Sequence, residues 1–176
     1  MKTMKKILAF ALAGVMALAL LTGCGTGSSA SHKSIAKAME DYGRGVENNP
    51  EITCTSSAEL DAKLQTWAAD SRFETAVKAV YNNNSTALSA IRTALSSNLA
   101  LSGKVVYLYC GKYDKDAGKQ AINLNAHPAC ISTSNSYLAD ERKIGLITTS
   151  FTDDTTHEKV KVRFAVVVSE IPAATP

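Results

Sequence analysis

The sequence predicts an α+β fold, with N-terminal helices packed on a C-terminal, mainly antiparallel sheet of about four strands. Before Gly103, apolar residues recur at the spacing of helix faces, whereas after it apolar and polar residues alternate as they do in strands. Helices that come first, followed by strands rather than alternating with them, are typical of α+β domains.

The predicted helices begin near residue 34. In the segment "SIAKAMEDYG", the side chains of Ile35, Met39 and Tyr42 share one helix face. Gly43 and Gly45 follow, and we expect them to end this first helix because glycine is a poor helix former.

Three more apolar stripes predict helices in the middle of the chain. Ser56 and Ser71 each precede a glutamate by three residues, which is the spacing of a helix capping box. The stripes consist of Leu60, Leu64 and Trp67; of Phe73, Ala76, Val77, Val80 and Tyr81; and of Leu88, Ile91, Leu95 and Leu99. The helices predicted by the first two of these three stripes are either separate or parts of one bent helix.

Alternating segments after Gly103 predict four strands, at residues 104–110, 119–125, 143–151 and 158–170. Residues 51–55 form a further extended candidate, and "TDDTTH" before the last strand is typical of a hairpin loop. In the last strand, one face consists of Val160, Val162, Phe164, Val166 and Val168, and the other contains Lys159, Lys161 and Arg163. We therefore expect one buried sheet face and an opposite face that is partly in water.

The first 24 residues have the layout of an export signal. Three lysines precede an apolar run over residues 7–21, and small polar residues follow it closely. The run is short for a membrane-spanning helix, which needs about 20 apolar residues. At its end, the sequence LTGC at residues 21–24 resembles the lipobox of bacterial lipoproteins. The resemblance implies cleavage before Cys24, a diacylglycerol thioether on that cysteine, and a protein lipid-anchored at the extracytoplasmic face of the cell membrane.

These features divide the chain into a signal peptide (1–23), a lipidated tether (24–31), a single α+β domain (32–172) and a short tail (173–176). After Cys24 the tether contains only Gly, Ser, Thr and Ala, so we expect it to be flexible and to span ~15 Å. The 153 residues from Cys24 onward suffice for one domain. They are too few for the two lobes that solute-binding lipoproteins of transporters usually have.

The charge balance excludes one class of partner. The three lysines of the signal account for the net charge of +3, and the mature chain has 16 Lys and Arg against 16 Asp and Glu. A formally neutral domain has no general attraction for nucleic acid or for an anionic membrane surface. We expect a monomer that is held at the membrane by the lipid on Cys24.

No motif predicts a metal site or a cofactor. His127 and Cys130 lack the second ligand pair of a closed zinc site, and Lys161 stands where "HEKVK" would need its second histidine. The segment "YDKDAGK" departs from the calcium-loop pattern and is expected to be a turn. The mature sequence also lacks a nucleophile elbow, a Ser-x-x-Lys motif and a glycine-rich phosphate loop.

Three cysteines remain after lipidation, Cys54, Cys110 and Cys130. Cys110 ends one predicted strand and Cys130 follows the next, so a Cys110–Cys130 disulfide is one alternative and three free thiols are another. Such a disulfide would contribute about 3 kcal/mol to stability. Cys130 with His127, or Cys110 with His157, would instead be the thiol and base of a cysteine hydrolase.

Two function classes follow from these observations. The first is a non-catalytic binding or interaction module at the cell envelope, with an envelope protein or ligand as its partner. The second is a small envelope hydrolase, thiol-dependent, that acts on peptidoglycan or peptide. We predict the first, as a metal-independent domain without hydrolytic activity. Its candidate binding surface consists of Lys159, Lys161, Arg163, Tyr107 and Tyr109.

Overall fold

A computed structural model describes residues 30–89, 101, 103–132 and 137–171. It confirms the α+β prediction, because helices dominate the first half of the described chain and strands the second. The elements are helix α1 (His32–Glu47), strand β1 (Thr53–Ser56), helices α2 (Ala58–Trp67) and α3 (Arg72–Tyr81), strand β2 (Lys104–Lys112), helix α4 (Ala117–Leu124), and strands β3 (Ala129–Cys130), β4 (Glu141–Thr152) and β5 (Lys159–Glu170). Residues 85–89 are also helical.

The strands form one mixed sheet of five, in the order β1-β4-β5-β2-β3. β1 runs parallel to β4, and the remaining neighbours are antiparallel. The sheet is therefore mainly antiparallel, as expected. Three of its strands, β2, β4 and β5, match predicted strands; the other two are β1, which is the extended candidate near residue 53, and β3, which was not predicted. The predicted hairpin loop joins β4 to β5.

Helices cover both faces of the sheet. On one face Phe164 packs against α2 and α3, and on the other Ala165 and Val167 pack against α1 and α4. All residues from Val162 to Ser169 in β5 are buried as a result. The expectation of an opposite face partly in water holds at Lys159 and Lys161, which are exposed. It is wrong for the rest of β5 before Glu170, because this central strand lies between two helical layers.

Residues 119–125 are helical in α4 up to Leu124, although their pattern predicted a strand. Ile122 and Leu124 alternate as in a strand, but Ala121 and Leu124 also share a helix face, and these two are buried. The preceding cap decides between the two periods, because the Asp116 carboxylate accepts a hydrogen bond from the backbone N–H of Lys119 at 2.8 Å.

Helix α1 passes through Gly43 and Gly45 instead of ending there. It ends at Glu47, where Asn48 takes the left-handed conformation (φ 50°) that is typical of a helix C-cap. Gly43 is buried, and a Cβ built on it would lie 3.4 Å from the Arg142 guanidinium. Packing of α1 against the sheet therefore overrides the weak helix propensity of glycine.

The predicted capping boxes are not formed as expected. α2 begins after Ser57, whose side chain makes the capping hydrogen bond in place of Ser56. The Ser71 side chain makes no capping hydrogen bond at the start of α3. Residues 68–71 form turns between α2 and α3, so the two helices are separate.

Asp61, in the first turn of α2, connects three elements. One of its carboxylate oxygens accepts a hydrogen bond from the backbone N–H of Leu146 at 2.7 Å, where β4 extends beyond its pairing with β1. The other oxygen lies 2.8 Å from Nδ1 of His32 at the start of α1. The carboxylate thereby satisfies a backbone donor that β1 is too short to reach.

The last two residues of the predicted tether belong to the folded domain. Ala30 donates its backbone N–H to the carbonyl of Lys115 at 2.8 Å, and its own carbonyl accepts a hydrogen bond from Arg163 at 3.1 Å. The Ser31 side chain caps α1 by accepting from the backbone N–H of Ser34. Ala30 and Ser31, which the sequence assigned to the tether, therefore make contacts with the folded domain.

Several predictions lie outside the described residues. They concern the signal peptide with Cys24, tether residues 25–29, the stripe residues Ile91, Leu95 and Leu99, and the tail. Leu88, the first residue of that stripe, is described and is buried.

We predict that Gly145→Ala destabilises the protein by about 2 kcal/mol or more. Gly145 lies in β4 under α2, and a Cβ there would come within 2.4 Å of the Leu60 Cβ. The matched control is Gly45→Ala in α1, where a Cβ meets nothing within 4 Å and alanine should stabilise the helix by about 0.5–1 kcal/mol. Urea unfolding measures both changes. A Gly145→Ala protein as stable as the wild type would contradict the close packing of α2 on β4.

Candidate functional site

A cavity of about 390 Å³ lies between the C-terminal half of α1 and the sheet face that α1 covers. Small-molecule sites in proteins typically have volumes of about 300–1,000 Å³. We call this cavity the tyrosine pocket. The residues that give it its chemistry are Glu47, Arg142, Tyr42, Tyr107, Tyr109 and Tyr137.

An ion pair between Arg142 and Glu47 forms one wall of the tyrosine pocket. The two terminal guanidinium nitrogens donate to the two carboxylate oxygens of Glu47, each at 2.7 Å, and Nε donates to the carbonyl of Ala139 at 2.9 Å. The Arg142 side chain is buried, whereas that of Glu47 is half-exposed. Burial is the largest single influence and lowers the pKa of Arg142, but the hydrogen bonds to Glu47 together with the neighbouring charges outweigh burial and raise this pKa above its ordinary value.

Four of the protein's six tyrosines line the pocket: Tyr42 from α1, Tyr107 and Tyr109 from β2, and Tyr137 from the segment before β4. Tyr107 and Tyr109 are two residues apart on one strand and therefore point to the same face. Their ring centroids lie 6.1 Å apart at an interplanar angle of 32°. The four rings give the pocket apolar faces with a hydroxyl at one end of each ring.

Tyr109 is the most buried of the four tyrosines, with 6% of its surface exposed. Its hydroxyl makes no hydrogen bond to a described residue. Burial raises the pKa of Tyr109, so this hydroxyl keeps its proton at neutral pH. Tyr107, by contrast, is hydrogen-bonded to the Cys130 side chain. The Tyr109 hydroxyl is not among the fully buried polar atoms, and the residue lines the pocket, so a ligand there can form a hydrogen bond with it.

Exposed apolar side chains border the pocket. Val46 at the end of α1 is 68% exposed, and Tyr137 is 76% exposed. Both line the cavity. Within the described ranges, they are two of only four large hydrophobic side chains that remain exposed. Such a concentration of exposed apolar surface beside a cavity is typical of a ligand-contacting region.

The structure places the five predicted binding residues on one face of the sheet but not in one site. Tyr107 and Tyr109 line the tyrosine pocket. Lys159, Lys161 and Arg163 lie at the other end of β5, near the hairpin, and do not line it. The two lysines are exposed, whereas Arg163 is buried.

Arg163 is a buried cation without a carboxylate partner. Its guanidinium donates to the Ala30 carbonyl and lies over the Tyr113 ring, 5.1 Å from the ring centroid. The Lys161 ammonium lies over the same ring, 3.9 Å from the centroid. Burial lowers the pKa of Arg163. All 16 acidic residues of the chain are described, and none forms an ion pair with it. Arg163 thus fixes the start of the folded domain to the sheet instead of presenting a surface charge.

Cys54, Cys110 and Cys130 are free thiols. The structure does not bring Cys110 and Cys130 together for the disulfide considered from the sequence. Cys130 pairs with Tyr107, so Cys110, three residues further along β2, points to the opposite sheet face. Cys54 lines the tyrosine pocket, but burial raises the pKa of both Cys54 and Cys110 to about 12. Neither residue supplies a thiolate near neutral pH.

In the parts of the chain that the structure describes, no histidine side chain is hydrogen-bonded to a serine or cysteine side chain. His32 contacts Asp61, and His127 and His157 are exposed. The thiol and histidine pairs considered from the sequence are therefore not assembled. Across the same residues, no group of three or more His, Cys, Asp and Glu side chains is placed to hold a metal ion.

Four pocket residues were not predicted from the sequence as site residues: Glu47, Arg142, Tyr42 and Tyr137. Glu47 and Arg142 are 95 residues apart, and Glu47 lies beyond the glycines that were expected to end α1. One signal was available: Arg142 shares a strand face with the apolar residues Ile144 and Leu146, and a charged residue in that position indicates a specific partner.

Comparison of the chain with protein-family models, with curated proteins and with solved structures finds no match. None of the helices in the described ranges is long and apolar enough to cross a membrane. We therefore infer the function from the geometry and chemistry of the tyrosine pocket.

We predict that the Cys54 and Cys110 thiols of the folded protein resist alkylation at pH 8, whereas the unfolded chain reacts at both. The reason is that burial raises their pKa to about 12. Thiols of the unfolded chain ionise near about pH 8.5. The folded protein holds its thiol protons more tightly, so it has its full stability below about pH 8.5 and loses stability as the pH rises toward 12. Mass spectrometry after iodoacetamide treatment measures the reactivity. Equal modification of Cys54 in folded and unfolded protein would contradict the prediction.

Proposed function

We propose that the protein is a lipid-anchored binding module at the extracytoplasmic face of the cell membrane, which holds a small ligand in the tyrosine pocket. The observation that carries the proposal is a pocket of about 390 Å³ that combines four tyrosines, a neutral Arg142–Glu47 pair and a Tyr109 hydroxyl that the described residues leave unbonded. Apolar walls with a few placed polar groups are the usual composition of a ligand site.

The chemistry of the pocket favours binding over catalysis. The cysteine among its lining residues, Cys54, keeps its proton near neutral pH, and no histidine lines the cavity. Arg142 and Glu47 occupy each other, so the carboxylate is not poised as a base. No observation favours the thiol hydrolase that the sequence left open.

The position of the pocket is compatible with anchoring through Cys24. The tether would join the domain at Ala30, next to the first residue of α1, whereas the pocket lies along the last turns of the same helix. A helix rises 1.5 Å per residue, so the two ends of α1 are about 22 Å apart. A domain attached to the bilayer by a short tether at one end of α1 therefore has its ligand site toward the other end.

Lipid anchoring is tested by Cys24→Ala in the full chain produced in a bacterium. The wild type should enter the detergent phase in a phase-separation assay, because a diacylglycerol group adds two buried acyl chains. Cys24→Ala should leave the precursor unlipidated, and any mature-sized form of this variant should leave that phase, whereas Cys130→Ala, the control, should behave as the wild type. Retention of a mature-sized Cys24→Ala form in the detergent phase at wild-type levels would overturn the lipoprotein proposal.

Ligand binding in the pocket is tested by a small-molecule screen that records the melting temperature. A compound that binds the folded state raises the melting temperature by mass action. Val46→Trp, which places a large ring at the pocket mouth, should abolish the shift. The matched control is Ile122→Trp on α4, because Ile122 is also an exposed helix residue, at 60%, but lies outside the pocket. Shifts that persist unchanged in Val46→Trp would contradict the proposed site.

A further inference from the structure

We propose that the ligand of the tyrosine pocket is an uncharged sugar unit of a glycan. This inference rests on the proposed binding function and adds the chemical class of the ligand. It depends on three properties of the pocket, which are its charge balance, its aromatic faces and the Tyr109 hydroxyl.

The charge balance disfavours ionic ligands. A cationic ligand would meet the buried Arg142 guanidinium, and an anionic ligand would meet the Glu47 carboxylate, which already compensates that guanidinium. Either ligand would have to break or oppose a bidentate ion pair. An uncharged ligand leaves the pair intact.

The same ion pair retains hydrogen-bonding capacity for hydroxyl groups. A guanidinium has five N–H donors, and Arg142 uses three of them on Ala139 and Glu47 among the described residues. Each Glu47 oxygen accepts one of these hydrogen bonds and has a further lone pair. The wall therefore presents donors and acceptors side by side. A sugar hydroxyl, which donates and accepts at once, matches that arrangement.

The tyrosine rings match the other surface of a sugar. A pyranose ring carries C–H groups on its faces and hydroxyls around its edge. Aromatic faces are electron-rich and attract the slightly positive C–H groups. Tyr107 offers a half-buried ring inside the pocket and Tyr137 an exposed one beside it, whereas the largely buried Tyr109 contributes its hydroxyl. The volume of about 390 Å³ is near the lower end of the range for ligand sites, which limits the bound part to a short glycan unit.

The Tyr109 hydroxyl provides the most specific contact. Tyr109 lines the pocket, and its hydroxyl has no hydrogen-bond partner among the described residues, so a ligand hydroxyl can pair with it. Loss of this hydroxyl should weaken the binding of a hydroxylated ligand without lowering the stability of the fold, because no described residue forms a hydrogen bond with it.

Calorimetric titration of the full, detergent-solubilised protein tests the inference. The probes are the N-acetylglucosamine trisaccharide and maltotriose, with choline and acetate as the cationic and anionic alternatives. A polyoxyethylene detergent is needed, because a glucoside or maltoside detergent would compete for the site. We expect at least one trisaccharide to bind more tightly than either ion. Failure of both trisaccharides to bind, or tighter binding of choline or acetate, would overturn the inference.

Two matched variants assign the binding to the pocket. Tyr109→Phe should weaken trisaccharide binding at least 10-fold, as expected for a lost hydrogen bond of about 1.4 kcal/mol, and should leave the melting temperature unchanged or higher. Tyr81→Phe, in the opposite core against Phe151, should bind as the wild type does. Unchanged affinity in Tyr109→Phe would overturn the inference. Choline or acetate binding that is lost in Val46→Trp would refute the sugar ligand but keep the proposed binding function.

Discussion

The site depends on the ion pair between Arg142 and Glu47. Arg142 lies near the start of β4, the strand that pairs with both β1 and β5, and Glu47 is the last residue of α1. Two hydrogen bonds of 2.7 Å join them and hold the end of the helix against the sheet. The space beside this contact is the tyrosine pocket. The pair also determines the character of the pocket, because it supplies polar groups with no net charge.

The fold could be predicted from the sequence where one residue pattern had a single interpretation. β2, β4 and β5 alternate over many residues, and the stripes of α2 and α3 fit only a helix. Residues 119–125 fit the apolar spacing of a strand and also that of a helix. The Asp116 helix cap, which decides between the two, lies outside the segment. The second helical layer was missed for a related reason, since Arg163 looks like a solvated residue until Ala30 and Tyr113 are placed around it.

The site could be predicted only in part. Tyr107 and Tyr109 were identified because their strand was expected to neighbour the strand of Lys159, Lys161 and Arg163, but of these five residues the two tyrosines alone line the pocket. Glu47 and Arg142 could not be paired from the sequence, because their contact forms only after α1 continues through two glycines and β4 begins earlier than its apolar pattern suggests. Long-range contacts of this kind depend on the tertiary arrangement, which local periodicity does not contain.

The tyrosines offer the most direct test of the claim that the pocket binds a ligand. Four of the six, Tyr42, Tyr107, Tyr109 and Tyr137, line it, and the other two, Tyr81 and Tyr113, do not. In a protein labelled at its tyrosine rings, NMR signals can be followed during titration with the N-acetylglucosamine trisaccharide. The account predicts shifts for Tyr107 and Tyr109, with Tyr81 and Tyr113 unchanged. Shifts confined to Tyr81 or Tyr113, or no shift at any ring at saturating sugar, would contradict it.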